Sequence, residues 1–231
     1  MSWDDIGVST TTLTELPLFP LGTVLFPGGV LPLRIFEVRY LDMIGRCWKQ
    51  GRPFGVVSLT EGHEVRRPDA KESFAAVGTL AHITHFQAPQ AGLMMIRCVG
   101  GQRFRLSGSR QLKHGLWVGE AEAIADDPEV PVPDDLKPVA QALEDVLTRL
   151  NAQIKEGLGP DPTPEQVALA ALQMPIAEPW RLGDCGWVAN RWCELLPMRG
   201  GEKQRMMELD SPLMRLELVG DVLVVQRPQS S

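Results

Sequence analysis

The period of apolar and polar positions changes once along the 231 residues. Up to about residue 125, apolar residues alternate with polar ones or form short blocks broken by glycine and proline, as strands do. Beyond it they recur every three or four positions, as helices do. The block Leu16 to Glu37, LPLFPLGTVLFPGGVLPLRIFE, sets four prolines among large apolar residues. Interior prolines remove amide donors, which excludes a helix and a central strand. The block therefore predicts two edge-type strands, near 16–20 and 30–35, joined by a bend at Phe26-Pro27-Gly28-Gly29. A helix follows from Glu37 to Gln50, with Val38, Leu41, Ile44 and Trp48 as its buried face and Gly51-Arg52-Pro53 as its stop. Strands are predicted at 54–59, 75–87, 93–98 with 103–107, and 116–124, and a polar loop at 60–74.

Gly100-Gly101-Gln102 reads as a three-residue hairpin loop. In that register Val99 opposes Arg103, Arg97 opposes Arg105, and Ile96, Cys98, Phe104 and Leu106 share the inner face. A two-residue loop would mix the faces. Met95, Arg97, Arg103 and Arg105 are thereby expected together on the outside.

The acidic, proline-rich stretch 126–133 reads as a connector between a β domain at 14–125 and a helical bundle domain at 134–221. Leu136 to Glu156 is an amphipathic helix with Val139, Leu143, Val146, Leu147, Leu150 and Ile154 on one stripe. Thr163-Pro164-Glu165-Gln166 is a capped helix start, with Gln166 placed to reach back, and Met174-Pro175 is the end of that helix. Further helices are expected from Asp184 to Leu196 and from Ser211-Pro212 onward. The fold class is α+β, with the bundle packed on the β part.

Composition adds boundaries. A hydrophobic content of 44% and a charged content of 23% are those of a soluble globular protein. The first residues form no secretory signal and no apolar run reaches a membrane span, so the expected location is cytoplasmic, without membrane contact. Cys47, Cys98, Cys185 and Cys193 form no C-x-x-C pair and read as buried, reduced thiols. Residues 1–125 carry a net +2 and residues 126–231 a net −8. Neither half has the basic excess that binding to phosphates requires, which disfavours nucleic acid.

Candidate chemistry is sparse. His82 and His85 are three apart on a predicted strand, where they should face opposite sides, and two histidines are too few for zinc. No serine has a G-x-S-x-G setting and no G-x-x-x-x-G-K-[ST] loop is present. The glycine pairs 28–29, 100–101 and 200–201 read as turns. The expectation is a non-enzyme with no catalytic residue, metal or cofactor. Most methionines are expected to fill core gaps, whereas Met95 turns outward beside the arginines.

Several segments, taken in order, resemble the Lon protease N-terminal (substrate-binding) domain family. They are the opening block, Glu37-x-Arg39-Tyr40, Phe54 to Leu59 (FGVVSL), Ala76 to Ala81 (AVGTLA) and Gly101 to Leu106 (GQRFRL). WVANRWCELLP (187–197) and EKQRMMELDSPLMRLELV (202–219) continue the likeness, which covers residues 14–221. The resemblance implies a PUA-like β pseudo-barrel followed by an α-helical bundle, in a stand-alone form without ATPase or peptidase domains. It implies non-catalytic recognition of unfolded or extended polypeptide segments, as an adaptor in protein quality control working with a protease or chaperone made as another chain. It also places the 34–40 segment beside the predicted hairpin, which makes Arg34, Phe36, Arg39, Met95, Arg97, Arg103 and Arg105 the expected peptide-binding residues. A cleft between barrel and bundle is the other expected place. RNA binding is the alternative, by analogy with other PUA-like folds.

Overall fold

Strand β1 (Thr12–Leu21) changes partners in mid-course in the computed structural model. Its first part, Thr12 to Leu18, runs antiparallel to β7 (Trp117–Ala123), and Leu18 to Leu21 runs parallel to β3 (Phe54–Glu61). Between them the sheet continues through β6 (Leu93–Gln111) and β5 (Val77–Gln90), so β1 closes it into a barrel. β2 (Val30–Ile35) pairs with the first half of β6, and β4 (Ser73–Phe74) with the end of β3. The structure describes residues 12–61, 72–159, 161–163, 166, 175–176 and 179–225. It divides into two units, Met1–Asp126 and Asp127–Ser231.

The change of partner lets β1 close the barrel and still keeps the edge-type character predicted for it, because among the described residues each half is paired on one side only. Pro17 belongs to the half paired with β7 and Pro20 to the half paired with β3, and the two halves share only Leu18. Each proline therefore sits where one side of the strand is open, and its missing amide proton breaks no ladder.

Two cores follow from the alternation of side chains. Leu16, Leu18, Val57, Leu80, Phe104 and Ala121 fill the barrel. On the outside of its wall, helix α1 (Val38–Gln50) packs Tyr40, Met43, Ile44 and Cys47 against Phe19, Ile35, Phe54, Ile96 and Cys98. The Phe19 and Tyr40 rings stack with centroids 4.0 Å apart. The buried face is thus rotated from the predicted one. Ile44 belongs to both, but Val38 is 75% exposed and Trp48, stacked on Phe86, is 43% exposed. Both stripes have helical spacing, and the one through Tyr40, Met43 and Cys47 meets the barrel.

The predicted hairpin at Gly100-Gly101 does not form. β6 is one continuous strand, and the reversal lies between β5 and β6, where Gln90 pairs with Leu93 and Gly92 has a φ of 77°. Gly100 serves a close approach instead. Its carbonyl accepts from Gly28 N at 2.7 Å and its N–H donates to the Gly29 carbonyl at 2.8 Å. A Cβ at position 100 would run into the Phe26 carbonyl oxygen. Phe26 to Gly29 is the expected bend, with Gly28 at φ 72° and Gly29 N donating to the Phe26 carbonyl at 2.9 Å.

In the second unit, α2 (Lys137–Gly157) buries Ala140, Leu143 and Leu147. α3 (Cys185–Leu195) is capped by Asp184, whose carboxylate accepts from Gly186 N at 3.1 Å. α4 (Gly200–Glu208) begins on the glycine pair read as a turn, and α5 (Pro212–Val225) begins after Ser211, whose hydroxyl accepts from Met214 N at 3.2 Å. The expected capping box is present, with Thr163 N donating to Gln166 Oε1 at 2.8 Å and Gln166 N to Thr163 Oγ1 at 3.3 Å. The Met174 end of that helix and most of the 60–74 loop lie outside the described residues. Arg215 is buried, donating to the Met206 carbonyl at 2.9 Å, Asp127 at 2.6 Å and Asn190 at 3.0 Å, and also to the Leu209 carbonyl. No helix among the described residues is long and apolar enough to cross a membrane.

Candidate functional site

The outward face of β2, β6 and β5 collects four of the seven expected residues. Arg34 pairs directly with Met95, which pairs on its other side with Gln87. One step along, Pro32, Arg97 and His85 form the next row. Arg34 is exposed, Met95 is 45% exposed and Arg97 is half-buried. Phe36, just past β2, is 58% exposed. Partial burial lowers the Arg97 pKa from its ordinary value, although a guanidinium stays charged at neutral pH. The face therefore offers a flexible thioether and an aromatic ring beside two cations, a mixture suited to extended chains of varied sequence.

The other three residues do not join it. With β6 unbroken, Arg103 and Arg105 lie about 20 Å or more along the strand from Arg97. Arg103 is 4% exposed and pairs with Thr79, while Arg105 is exposed between Val77 and Glu122. Ile96, Cys98 and Phe104 are all buried, but they do not share one face as expected: Ile96 and Cys98 pack in the core under α1 and Phe104 inside the barrel. The clustering of the arginines required a reversal that does not exist.

Arg39 is buried in a structural network. Its Nε lies 3.1 Å from the Glu37 carboxylate, its Nη1 donates to the Gly115 carbonyl at 2.8 Å, and its Nη2 is 3.7 Å from the Glu72 carboxylate. Glu72 in turn accepts from Trp117 Nε1 at 2.6 Å. The guanidinium also lies 4.5 Å from the Tyr40 ring centroid. These contacts tie the start of α1 to the β6–β7 turn and to the residue before β4.

A bulge also revises the reading of the histidines. His82 pairs with Val99 and His85 with Arg97, so both occupy the outer face, with Thr84 as the extra residue between them. The described residues hold no group of three or more histidine, cysteine or acidic side chains arranged for a metal. All four cysteines are buried and free, and burial pushes the Cys98 and Cys193 thiols up to about 12, which removes them as nucleophiles at neutral pH.

Sequence reasoning missed a groove of about 460 Å³ in the first unit. Thr12 to Pro17 of β1 form one wall, and Arg46, Gln50, Arg52 and Pro53 another. Leu112, Leu116 and Val118 close it from the β6–β7 side. In β1, Glu15 has a φ of 50° at a bulge between Leu13 and Leu16, and its carboxylate is held by Arg110. No local signal marks this place, because its walls meet only through the closure of the barrel.

A family model described as the ATP-dependent protease La (LON) substrate-binding domain matches residues 15–225. The crystal structure of a Lon N-terminal domain protein from Xanthomonas campestris is 30% identical, with a TM-score of 0.64 over 94% of this chain and 100% of its own. The N-terminal domain of a Mycobacterium avium complex Lon protease is 14% identical, with a TM-score of 0.54 over 94% of this chain and 100% of its own, a likeness of fold alone. Cereblon of Danio rerio is 30% identical over 129 residues. That match takes in 54% of this chain but spans only 28% of cereblon.

Proposed function

The chain belongs to the LON substrate-binding domain family, and from that premise we propose that it is a non-catalytic module that recognises extended polypeptide segments. The observation that carries this reading is the pairing of Arg34 with Met95 on an open sheet face, next to Arg97 and Phe36. Apolar side chains of a captured segment lie against Met95 and Phe36, while the guanidinium groups hold carboxylates or backbone carbonyls. Ordering a flexible segment costs on the order of 2–5 kcal/mol, so single-site affinity is modest and capture is reversible. Such a module acts as an adaptor in protein quality control, presenting segments to a protease or chaperone made as another chain. It neither hydrolyses ATP nor cleaves what it binds.

Fluorescence anisotropy with labelled, reduced and alkylated casein tests this reading. Saturable binding that changes little between about 50 and 200 mM salt supports it. Absence of binding contradicts it. A fall of several hundredfold over that salt range, with single-stranded RNA as the better ligand, would favour the RNA alternative.

A further inference from the structure

We propose that the groove beside β1 binds an extended polypeptide segment carrying an acidic side chain between apolar ones, by adding it as a strand to the open edge at Thr12–Pro17. The proposal rests on the reading of this unit as a polypeptide-binding module and adds a place and a sequence class.

The open edge follows from where the parallel pairing of β1 and β3 begins. Leu18 pairs with Gly55. Continued backwards, that register would set Leu16 beside Pro53 and Glu15 beside Arg52, but no pairing occurs there. Pro53 has no amide proton to offer. β1 therefore parts from the link between α1 and β3. From Thr12 to Pro17 its ladder is to β7 on one side, and among the described residues the other side has none. A strand edge of this kind recognises extended chains through backbone hydrogen bonds, with specificity from pockets for alternate side chains.

The walls supply that specificity. Half-buried Leu13 and Leu112 lie with buried Leu16, Met43, Leu116 and Val118 along the groove, an apolar lining for the inward side chains of an added strand. Arg46 and Arg52 are exposed on the opposite wall and have no carboxylate partner among the described residues. Arg46 Nε donates to the Asp42 carbonyl at 3.3 Å. Glu15, the acid of the β1 wall, is paired with Arg110. The groove is left with an excess of positive charge, and a carboxylate between two guanidiniums is its complement. Its volume is in the range of built ligand sites. Glu15 adds a further sign. Holding a non-glycine residue at positive φ costs on the order of 1–3 kcal/mol, and such strain concentrates at binding sites.

The test uses the full chain and two end-capped, fluorescein-labelled hexapeptides that alternate valine with glutamate or valine with lysine. The glutamate peptide is expected to bind at least tenfold more tightly. Arg46→Glu with Arg52→Glu reverses the order, while Lys49→Glu, a single charge change on α1 outside the groove, leaves it unchanged. If the charge-reversed chain does not fold, Arg46→Gln with Arg52→Gln must abolish the preference. Hydrogen exchange at amides between Thr12 and Leu16 slows on adding the glutamate peptide. Equal binding of the two peptides, a preference that survives the double variants, unchanged exchange in β1, or a self-association that competes with the peptide each overturns the assignment. Casein binding without any preference for acid removes the groove assignment alone. No binding of casein or of either peptide removes the module reading as well.

Discussion

The Arg39 guanidinium donates to the Gly115 carbonyl oxygen at 2.8 Å, joining residues 76 positions apart. Arg39→Ala would leave the Glu72 carboxylate, 7% exposed, without its counter-charge and the Gly115 carbonyl without its donor. Breaking a buried pair in this way costs about 3 kcal/mol, and Arg39→Lys recovers little of it because an ammonium cannot span three acceptors as a planar fork does. Urea unfolding measures the loss. A cost near zero would return Arg39 to the list of binding residues.

Gly100→Ala is expected to destabilise the protein by about 2 kcal/mol or more, because the new methyl meets the rigid Phe26 carbonyl and not a movable side chain. Gly108→Ala, later in the same strand, has open space around its Cβ and is expected to be neutral or slightly stabilising. Thermal unfolding of the pair separates close approach from a general glycine effect. Equal changes at both positions would refute the close-approach explanation.

Glu194 gives the second unit a pH dependence. Desolvation pushes its carboxyl up from 4.5 to about 7, against the opposing pull of Arg191 at 2.7 Å. Between those two values the folded state keeps a proton that the unfolded chain has lost, so stability falls as pH rises through the window, by at most about 3 kcal/mol. The difference in stability between the native protein and Glu194→Gln, followed from pH 4 to 8, should carry this slope. A flat difference would show that Arg191 keeps Glu194 ionised throughout.

The elements that local chemistry decides were legible in the sequence. The Phe26–Gly29 bend, the helix starts at Asp184 and Ser211 and the Thr163–Gln166 reciprocal pair all depend on residues within a few positions of one another. What depended on distant partners was not. Gly100-Gly101 has the composition of a turn, and only the Phe26–Gly29 bend arriving from elsewhere shows that Gly100 marks a close approach. On α1, the stripe through Val38 and Trp48 and the stripe through Tyr40 and Cys47 have similar spacing, and the barrel wall selects between them. The same limit applied to the site. The adjacency of Arg34 and Met95 comes from the pairing of β2 with β6, and the outward arginine cluster failed because its supporting hairpin was absent.

Binding of unfolded casein by a chain altered only on the β2–β6 face tests the central claim most directly. Arg34→Glu, Met95→Ser and Arg97→Glu together should weaken binding at least tenfold, with the Tm within a few degrees of the native value, because Arg34 and Met95 are exposed and Arg97 is half-buried. Unchanged binding by a well-folded triple variant would contradict the account and move recognition off this face.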